Sequence, residues 1–568
     1  MWRGTPSGGV LPSTSLVLLA AIAAGAWLQP NHWLPWVSFH AEVWMAVVLC
    51  GVSLFVLART QGALTWHGLA VLGLLLAAVP LVQLAGGLVL SKGLAWINSA
   101  YLLGLFAALM IGARWESAAP GEPVLFVLLA AFIASFLSVG LQLHQWMQLD
   151  GLPFLSMGGG PSRPSANIGQ ANHLATLHLW GLLAVTWAWL RGYFGPTGFF
   201  ALAAFLLLGI ALTESRAALL NGVLLCGVTW LYRPRWPSRR VVWAAMGLVF
   251  ALLVLMLTLP SLGAVIHSFG ESGTARLANP ASANIRITAY TMLVDAALRQ
   301  PWFGYGWGQT MLGQFAVALD HPSINGVLGN AHNLLIDLVL WLGIPGGLAV
   351  AMTFAAWLLR CLRVLRAPEN VVVLMAVLVL AVHSMVEFPL QYGYFLWPAG
   401  LLVGALNVRA NFPAKTWGHR ALLAGICLAC GAFTLAAIRD YVVAEASFRS
   451  WRFHVARIGS VAPEPIPSLA VLPQIESVLR VPRAAIRKGM TAEEINDYTE
   501  AMLALPSLAN IFFLSQALAM NGRVEEARLW QLRMEGIFSA EHLAFAKADW
   551  RRQALSTPEM ANLPWAHP

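Results

Sequence analysis

Long apolar runs follow one another along most of this chain, and they constrain its fold more than any other feature of the sequence. Runs of about 17 to 25 residues, long enough to cross a bilayer as helices, begin near positions 13, 41, 66, 96, 123, 173, 197, 216, 241, 332, 371, 392 and 421. Charged residues make up 10% of the chain, against roughly 25% in soluble domains. The sequence therefore predicts an all-α polytopic membrane protein with about 13 transmembrane helices.

The basic residues give the predicted orientation. With the N-terminus in the cytoplasm, fourteen Lys and Arg residues fall in inner loops, and only Lys92, Arg163 and Arg216 fall in short outer loops. An odd number of helices then places the C-terminal region on the outer side. Because the basic residues mark helix ends, the net charge of +9 does not indicate a nucleic-acid partner. The first apolar run lacks a clear cleavage site and is expected to stay in the protein.

Two regions are predicted. Residues 1–438 form a transmembrane domain with long outer loops at about 145–172 and 261–331, and loops of that length in compact proteins are usually functional or disordered. Residues 439–568 form an outer helical domain, in which Asn521-Gly522 separates two helices that resemble one tetratricopeptide-type hairpin. A single hairpin is weak evidence for a repeat array, since such arrays need several units.

Unusual polar residues collect near helix ends on the predicted outer side. Such convergence is expected of an active site, because ionisable groups near a bilayer are costly and usually functional. The set comprises Asn167, Gln170, Asn172, His173, Thr213, Glu214, Ser215, Arg216, Arg276, Arg286, the segment 330–337, Glu387, Gln391 and Tyr392.

His332 is the candidate base of this set. If Asn330 caps the following helix, the imidazole lies in the first turn, where the helix dipole favours its neutral form and suits it to accept a proton. A purely structural histidine at the membrane surface is the alternative. Asp337 lies just off the same helical face, and Asn333 with Asp337, four residues apart, forms the better hydrogen-bond pair.

Arg216 and Arg286 together offer two guanidinium groups for a diphosphate, whose geometry matches bidentate hydrogen bonding. Reaching toward lipid headgroups is an equally good explanation of Arg216 alone. Glu214 either holds Arg216 in place or takes part in proton transfer.

The sequence indicates neither a nucleotide site nor a metal site. Gly304-Tyr305-Gly306-Trp307-Gly308 follows no strand and precedes no Lys-Ser or Lys-Thr pair, so its glycines are expected to form a tight turn anchored by aromatic residues. The five cysteines form no CxxC pair, and the acidic residues are sparse and scattered. We expect no cofactor and no bound metal.

Several segments resemble the Wzy/WaaL superfamily of O-antigen ligases, O-antigen polymerases and protein O-oligosaccharyltransferases. Its signature is similar to residues 301–308, to 330–333 running on to 342–346, and to Thr213-Glu214-Ser215-Arg216. Residues 166–173 and 386–392, together with a sizeable outer tail, resemble the PglL-type oligosaccharyltransferases specifically. The resemblance covers about 150–405, with Ala171 where Pro is common.

This resemblance implies a GT-C-like transferase in the inner membrane of a Gram-negative bacterium. It would move a preassembled glycan from undecaprenyl diphosphate to Ser or Thr hydroxyls of periplasmic proteins such as pilin, with inversion and without a metal. His332 would be the general base, and Arg216 and Arg286 would neutralise the diphosphate. The residues expected to position glycan or acceptor are Gln170, Asn172, His173, Glu214, Asn333, Asp337, Glu387 and Tyr392.

Three other functions remain open at this point. An O-antigen ligase would use lipid A-core as its acceptor, and a polymerase would extend O-antigen. A transporter without chemistry should show inverted repeats or helices broken at the membrane midplane, whereas here the polar residues crowd one interface.

Overall fold

The computed structural model describes residues 13–149, 151, 155–156, 163–267, 280–459 and 462–565, and only the backbone within 260–267 and 280–284. The predicted Arg276 lies outside these residues. The fold is mostly helical, and an apolar helix begins within four residues of each predicted start, the largest difference being Lys92 against position 96.

The membrane region contains these elements: α1 (Thr14–Ala24), α2 (Phe39–Arg59), β1 (Ala63–His67), α3 (Gly68–Ala85), α4 (Lys92–Ala118), α5 (Glu122–Trp146), α6 (Ala171–Leu190), α7 (Pro196–Leu212), α8 (Arg216–Leu231), α9 (Arg239–His267), α10 (Pro280–Arg299), α11 (Thr310–Val317), α12 (Leu334–Val364), α13 (Pro368–His383), α14 (Gly393–Arg409), β2 (Ala414–His419) and α15 (Arg420–Val455).

Within the described residues, seven helices are long and apolar enough to cross a membrane: α2, α3, α4, α5, α9, α12 and α15. Helices such as α7, α8 and α13 are apolar but shorter, with 16 or 17 residues. The chain is therefore a multi-pass membrane protein, and the count of 13 crossings stays a prediction.

Close contact between α4 and α14 organises the core of the bundle. A Cβ atom added to Gly112 would lie 2.3 Å from the carbonyl oxygen of Leu401, and one added to Gly404 would lie 2.3 Å from that of Leu109. Small residues at such positions allow membrane helices to approach closely. At one end of the pair, Arg409 donates to Glu116 over 2.9 Å, and the short strands β1 and β2 pair nearby in antiparallel fashion.

Helix α12 is broken at Gly343, whose φ of 73° and ψ of 169° are not helical. Glycine tolerates a positive φ without the clash that a Cβ atom causes, and Pro345 then lies in the first turn of the second segment, where proline is well tolerated. This break was not predicted, because the apolar run continues through it, although Gly343 and Pro345 are residues that favour one.

The C-terminal region consists of α16 (Pro473–Arg480), α17 (Ala492–Ala504), α18 (Leu508–Met520), α19 (Val524–Ile537), α20 (Ala540–Ala554) and α21 (Pro558–Ala561). Helices α18 and α19 form the predicted hairpin around Asn521-Gly522. The hydrophobic core of the C-terminal region includes Met311 and Phe315 of α11, so this region packs onto the membrane domain. Helix α15 passes without interruption through the predicted boundary at 438.

Candidate functional site

Glu387 is the centre of a polar cluster that joins four parts of the chain. Its side chain is 5% exposed and lies between α13 and a 3₁₀ turn at Pro389–Gln391. The carboxylate accepts hydrogen bonds from His332 Nδ1 at 2.9 Å, Asn172 Nδ2 at 2.8 Å, Gln170 Nε2 at 3.3 Å and Arg286 Nη2 at 3.3 Å. Four of the residues predicted from the sequence therefore converge on a fifth.

The cluster keeps Glu387 ionised. Burial opposes ionisation, but the hydrogen bond and charge of His332 and the hydrogen bond of Asn172 outweigh it and lower the pKa of Glu387 to about 2. A carboxylate with this pKa only accepts hydrogen bonds at neutral pH. The adjacent ring nitrogen, Nδ1 of His332, must then be the protonated one.

His332 lies just before α12 and not in its first turn. Asn333, and not Asn330, caps the helix by accepting from the backbone N–H groups of Leu335 and Ile336. The predicted cap was therefore wrong by three residues. His332 itself has a φ of 50°, an uncommon value for a residue other than glycine, and it leaves the imidazole 39% exposed beside the ring of Phe388.

Hydrogen bonds on both sides fix the backbone around His332. Asp337, 2% exposed, accepts from the backbone N–H of Ala331 at 2.9 Å and from Thr310 Oγ1 at 2.7 Å. The side chain of Asn333 donates to the carbonyl of Met385 at 3.1 Å. The predicted side-chain pair of Asn333 and Asp337 does not form, because each has a partner elsewhere.

Helix α6 begins at the same end of the bundle, which we call the His332 end. Gln170 is its N-cap residue, and Asn172 in its first turn bonds Glu387. The side-chain oxygen of Asn172 accepts from Ser215 Oγ at 2.9 Å and from Arg163 Nη2 at 3.0 Å. These bonds connect the start of α6 to the start of α8.

The two predicted diphosphate ligands lie on different elements. Arg286 is on α10, 45% exposed, with one nitrogen on Glu387. Arg216 is the first residue of α8, exposed, and directly follows Ser215 of the cluster. Glu214 lies in the preceding turn with a φ of 47° and is half-buried. Arg286 therefore contacts the cluster directly, and Arg216 adjoins it through the neighbouring Ser215.

His173 and Tyr392 pack against each other in the protein interior next to the cluster. The ring of His173 is 1% exposed and packs edge-on against Tyr392, with ring centroids 4.9 Å apart. Burial raises the pKa of the Tyr392 hydroxyl, so this group stays neutral. His173 also packs edge-on against Phe388, with ring centroids 5.6 Å apart, and its role in positioning glycan or acceptor stays a prediction.

Five residues that contact the site residues had no predicted role: Arg163, Ser215, Tyr290, Thr310 and Phe388. Tyr290 donates to the carbonyl of His332 at 3.3 Å. Ser215 belongs to the motif Thr213-Glu214-Ser215-Arg216 that carried part of the family resemblance. The sequence therefore contained a reason to place Ser215 near the site. Thr310 had none, since its bond to Asp337 spans 27 residues.

Family models match two long parts of the chain. A model described as "O-Antigen ligase" matches residues 201–351, which include Arg216, Arg286 and His332. A model described as "Virulence factor membrane-bound polymerase, C-terminal" matches 371–553, which include Glu387 and Tyr392. No solved structure matches the chain.

Two curated relatives come from Acinetobacter baylyi. The chain is 27% identical over 410 residues to a "General O-oligosaccharyltransferase", covering 71% of each protein. It is 26% identical over 257 residues to a "ComP-specific O-oligosaccharyltransferase", covering 45% of this chain and 46% of the relative.

Over 71% of its length the chain is similar to a protein O-oligosaccharyltransferase, as the resemblance to the PglL type of the Wzy/WaaL superfamily predicted. The predicted family is thus confirmed, and so is the prediction of a glycosyltransferase. The segments 301–308 and 330–346 that carried the resemblance lie within one matched region. In this oligosaccharyltransferase they build the turn before α11 and the backbone that carries His332.

Proposed function

We propose that this oligosaccharyltransferase moves a preassembled oligosaccharide from undecaprenyl diphosphate to Ser or Thr hydroxyls of periplasmic proteins. In this proposal the protein lies in the inner membrane of a Gram-negative bacterium with its N-terminus in the cytoplasm. The His332 end and the C-terminal helical domain, residues 439–568, face the periplasm. Pilin is the first acceptor to test.

One observation carries the proposal: a partly exposed imidazole is held by a buried carboxylate beside an arginine. Because Nδ1–H of His332 donates to Glu387, Nε2 carries the lone pair that can take a proton. The acceptor hydroxyl attacks the anomeric carbon while its proton passes to Nε2. Glu387 then stabilises the imidazolium, as a carboxylate does in hydrolytic triads.

The same step breaks the bond between the anomeric carbon and the diphosphate oxygen, with inversion at that carbon. Arg286 and Arg216 stabilise the negative charge that develops on the leaving diphosphate. Glu387 also holds Arg286, so one carboxylate sets both the base and one leaving-group ligand. Gln170 and Asn172 keep that carboxylate in place.

The test is co-expression with a pathway that makes a lipid-linked glycan and with a pilin acceptor, followed by mass spectrometry of the pilin. We expect a glycan on pilin with the wild type and its loss with His332→Ala. His40→Ala is the matched control, since His40 also pairs with a glutamate, Glu445, at 3.2 Å but lies outside the cluster. Unmodified pilin with a folded wild-type protein would count against the proposal.

An O-antigen ligase is the second candidate, favoured by the match of the ligase model to 201–351. A deletion strain separates the two functions. Loss of protein glycans with intact lipopolysaccharide supports the protein transferase, whereas loss of O-antigen from lipid A-core supports the ligase.

A further inference from the structure

Helix α10, which carries Arg286, has an apolar stripe that no other described part of the protein covers. Ile287, Val294 and Leu298 fall on one helical face, and their exposure is between 48% and 65%. Thr291 is also exposed and lies between Ile287 and Val294 on this face. Exposed large apolar side chains that share one face usually mark an interaction surface.

The other faces of α10 differ from this stripe. Met292, Leu293 and Ala296 are fully buried in a cluster that includes residues of α12. Along one edge, Asp295 pairs with Arg299, which also pairs with Asp320. The helix therefore has a packed face, a charged edge and an apolar exposed face.

The turn that follows α10 carries two exposed aromatic residues and lies beside the start of the second segment of α12. Trp302 and Phe303 are 72% and 77% exposed. Their turn contacts the break in α12, where the N–H of Ile344 donates to the carbonyl of Pro301 at 2.7 Å. The segment from Ile344 to Val364 is about 31 Å long at 1.5 Å per residue, which matches a hydrocarbon core of about 30 Å. A segment of this length that crosses the core starts at the membrane surface, and Trp302 lies beside that start.

We propose that α10 lies in the membrane interface at the His332 end, with Ile287, Val294 and Leu298 in contact with lipid acyl chains. Trp302 and Phe303 anchor its C-terminal end among the headgroups, where aromatic rings are enriched. The charged edge of Asp295 and Arg299 faces the aqueous side. This division of faces is that of an interfacial amphipathic helix.

This placement has a consequence that rests on the proposed function. Arg286 is on the same helix, so an interfacial α10 holds its guanidinium at the level of lipid phosphates. The diphosphate of a lipid-linked donor lies at that level as well. Arg286 can then meet the donor without the donor leaving its leaflet.

The test measures the depth of spin labels on the full-length protein in vesicles of phosphatidylethanolamine and phosphatidylglycerol. The five native cysteines are replaced, and Val294→Cys, Leu298→Cys and Ile287→Cys are labelled one at a time. Phe545→Cys is the matched control, because Phe545 is an exposed apolar residue, 80% accessible, in the C-terminal region. Power-saturation electron paramagnetic resonance compares collisions with oxygen, which partitions into the bilayer, and with a water-soluble nickel chelate.

We expect the α10 labels to collide mainly with oxygen and the label at 545 to collide mainly with the nickel chelate. An α10 label that matches the label at 545 would overturn the proposal. So would an α10 label shielded from both reagents, since a protein would then cover the stripe. Three alternative positions keep the test valid if one variant does not fold.

A kinetic measurement tests the consequence separately. Leu298→Asp should raise the KM for the lipid-linked donor severalfold and leave the KM for the acceptor unchanged. If the labels lie in the bilayer but the donor KM does not change, α10 is interfacial without a role in donor binding. If no transfer occurs even in the wild type, the proposed function fails while the label result stands.

Discussion

Nδ1 of His332 lies 2.9 Å from Oε2 of Glu387, although 55 residues separate them in the chain. His332 is partly exposed and Glu387 is buried, so the imidazole can be reached from solvent while the protein holds the carboxylate in place. Such an arrangement sets the tautomer and the direction of an imidazole. The other oxygen of the same carboxylate holds Arg286.

Glu387→Gln should lower the transfer rate by about 10²- to 10⁴-fold, the range for impaired general acid–base catalysis. The amide keeps nearly the same shape but removes the charge that stabilises a protonated His332. The measurement is turnover with purified enzyme, lipid-linked donor and acceptor peptide. Glu445→Gln, which alters the His40–Glu445 pair, should leave turnover unchanged. Equal losses in both variants would point to a general effect on folding.

Arg286→Lys should weaken donor binding more than it slows the chemical step. Lysine keeps the charge but loses the planar fork, and a hydrogen bond to a charged group contributes about 1.5–3 kcal/mol, equivalent to roughly a 10- to 150-fold higher donor KM. Arg523→Lys is the control, because Arg523 is similarly exposed and pairs with Glu526 in the C-terminal region. An unchanged donor KM in Arg286→Lys would remove Arg286 from the diphosphate site.

Glu387 should also make the free energy of unfolding fall when the solution is acidified. Its pKa falls from 4.5 to about 2 in the folded protein, so its ionisation stabilises the fold above pH 4.5 by roughly 3 kcal/mol. This contribution is lost as pH falls from 4.5 toward 2. Glu387→Gln has no such titration, so the difference in melting temperature between wild type and variant should narrow over that window. A constant difference would mean that Glu387 has an ordinary pKa.

Asp337 should act through its oxygen and not through its charge. Asp337→Asn keeps an acceptor for Ala331 N–H and Thr310 Oγ1, whereas Asp337→Ala leaves two buried donors unpaired, each at a cost of about 1–3 kcal/mol. The melting temperature and the turnover rate should both decrease in the order wild type, Asp337→Asn, Asp337→Ala. A large loss of turnover in Asp337→Asn with unchanged stability would indicate a direct role of the carboxylate.

The helices could be predicted from the sequence because each membrane-crossing segment carries its own signal. An apolar run of sufficient length identifies a helix without knowledge of its neighbours. The break at Gly343 has a weaker signal, because Gly343 and Pro345 favour a kink while the apolar composition continues through it.

The residues of the site could be predicted more readily than the hydrogen bonds that join them. Gln170, Asn172, Arg286 and His332 stood out as polar residues near helix ends, but their shared partner Glu387 lies up to 217 residues away. Two asparagines, Asn330 and Asn333, could each cap α12. The contact of Leu334 N–H with the carbonyl of Ser384 accompanies the cap at Asn333, and it depends on packing that no local pattern shows.

Gly304 and Gly343 interlock the turn before α11 with the break in α12, so either glycine should resist substitution. The expected tight turn is confirmed by the positive φ values of Gly304, Gly306 and Gly308. A Cβ atom on Gly304 would lie 2.2 Å from the carbonyl oxygen of Leu340, and one on Gly343 would lie 2.2 Å from that of Trp302.

Gly304→Ala and Gly343→Ala should each destabilise the protein by more than the about 1–2 kcal/mol of a left-handed backbone alone, since a backbone clash adds to it. The double variant should lose less than the sum of the two, because the first substitution already separates the two segments. Gly227→Ala is the control, since a Cβ atom there meets no atom within 4 Å. Melting temperatures of the purified proteins give the comparison, and additive losses would show that the two glycines act independently.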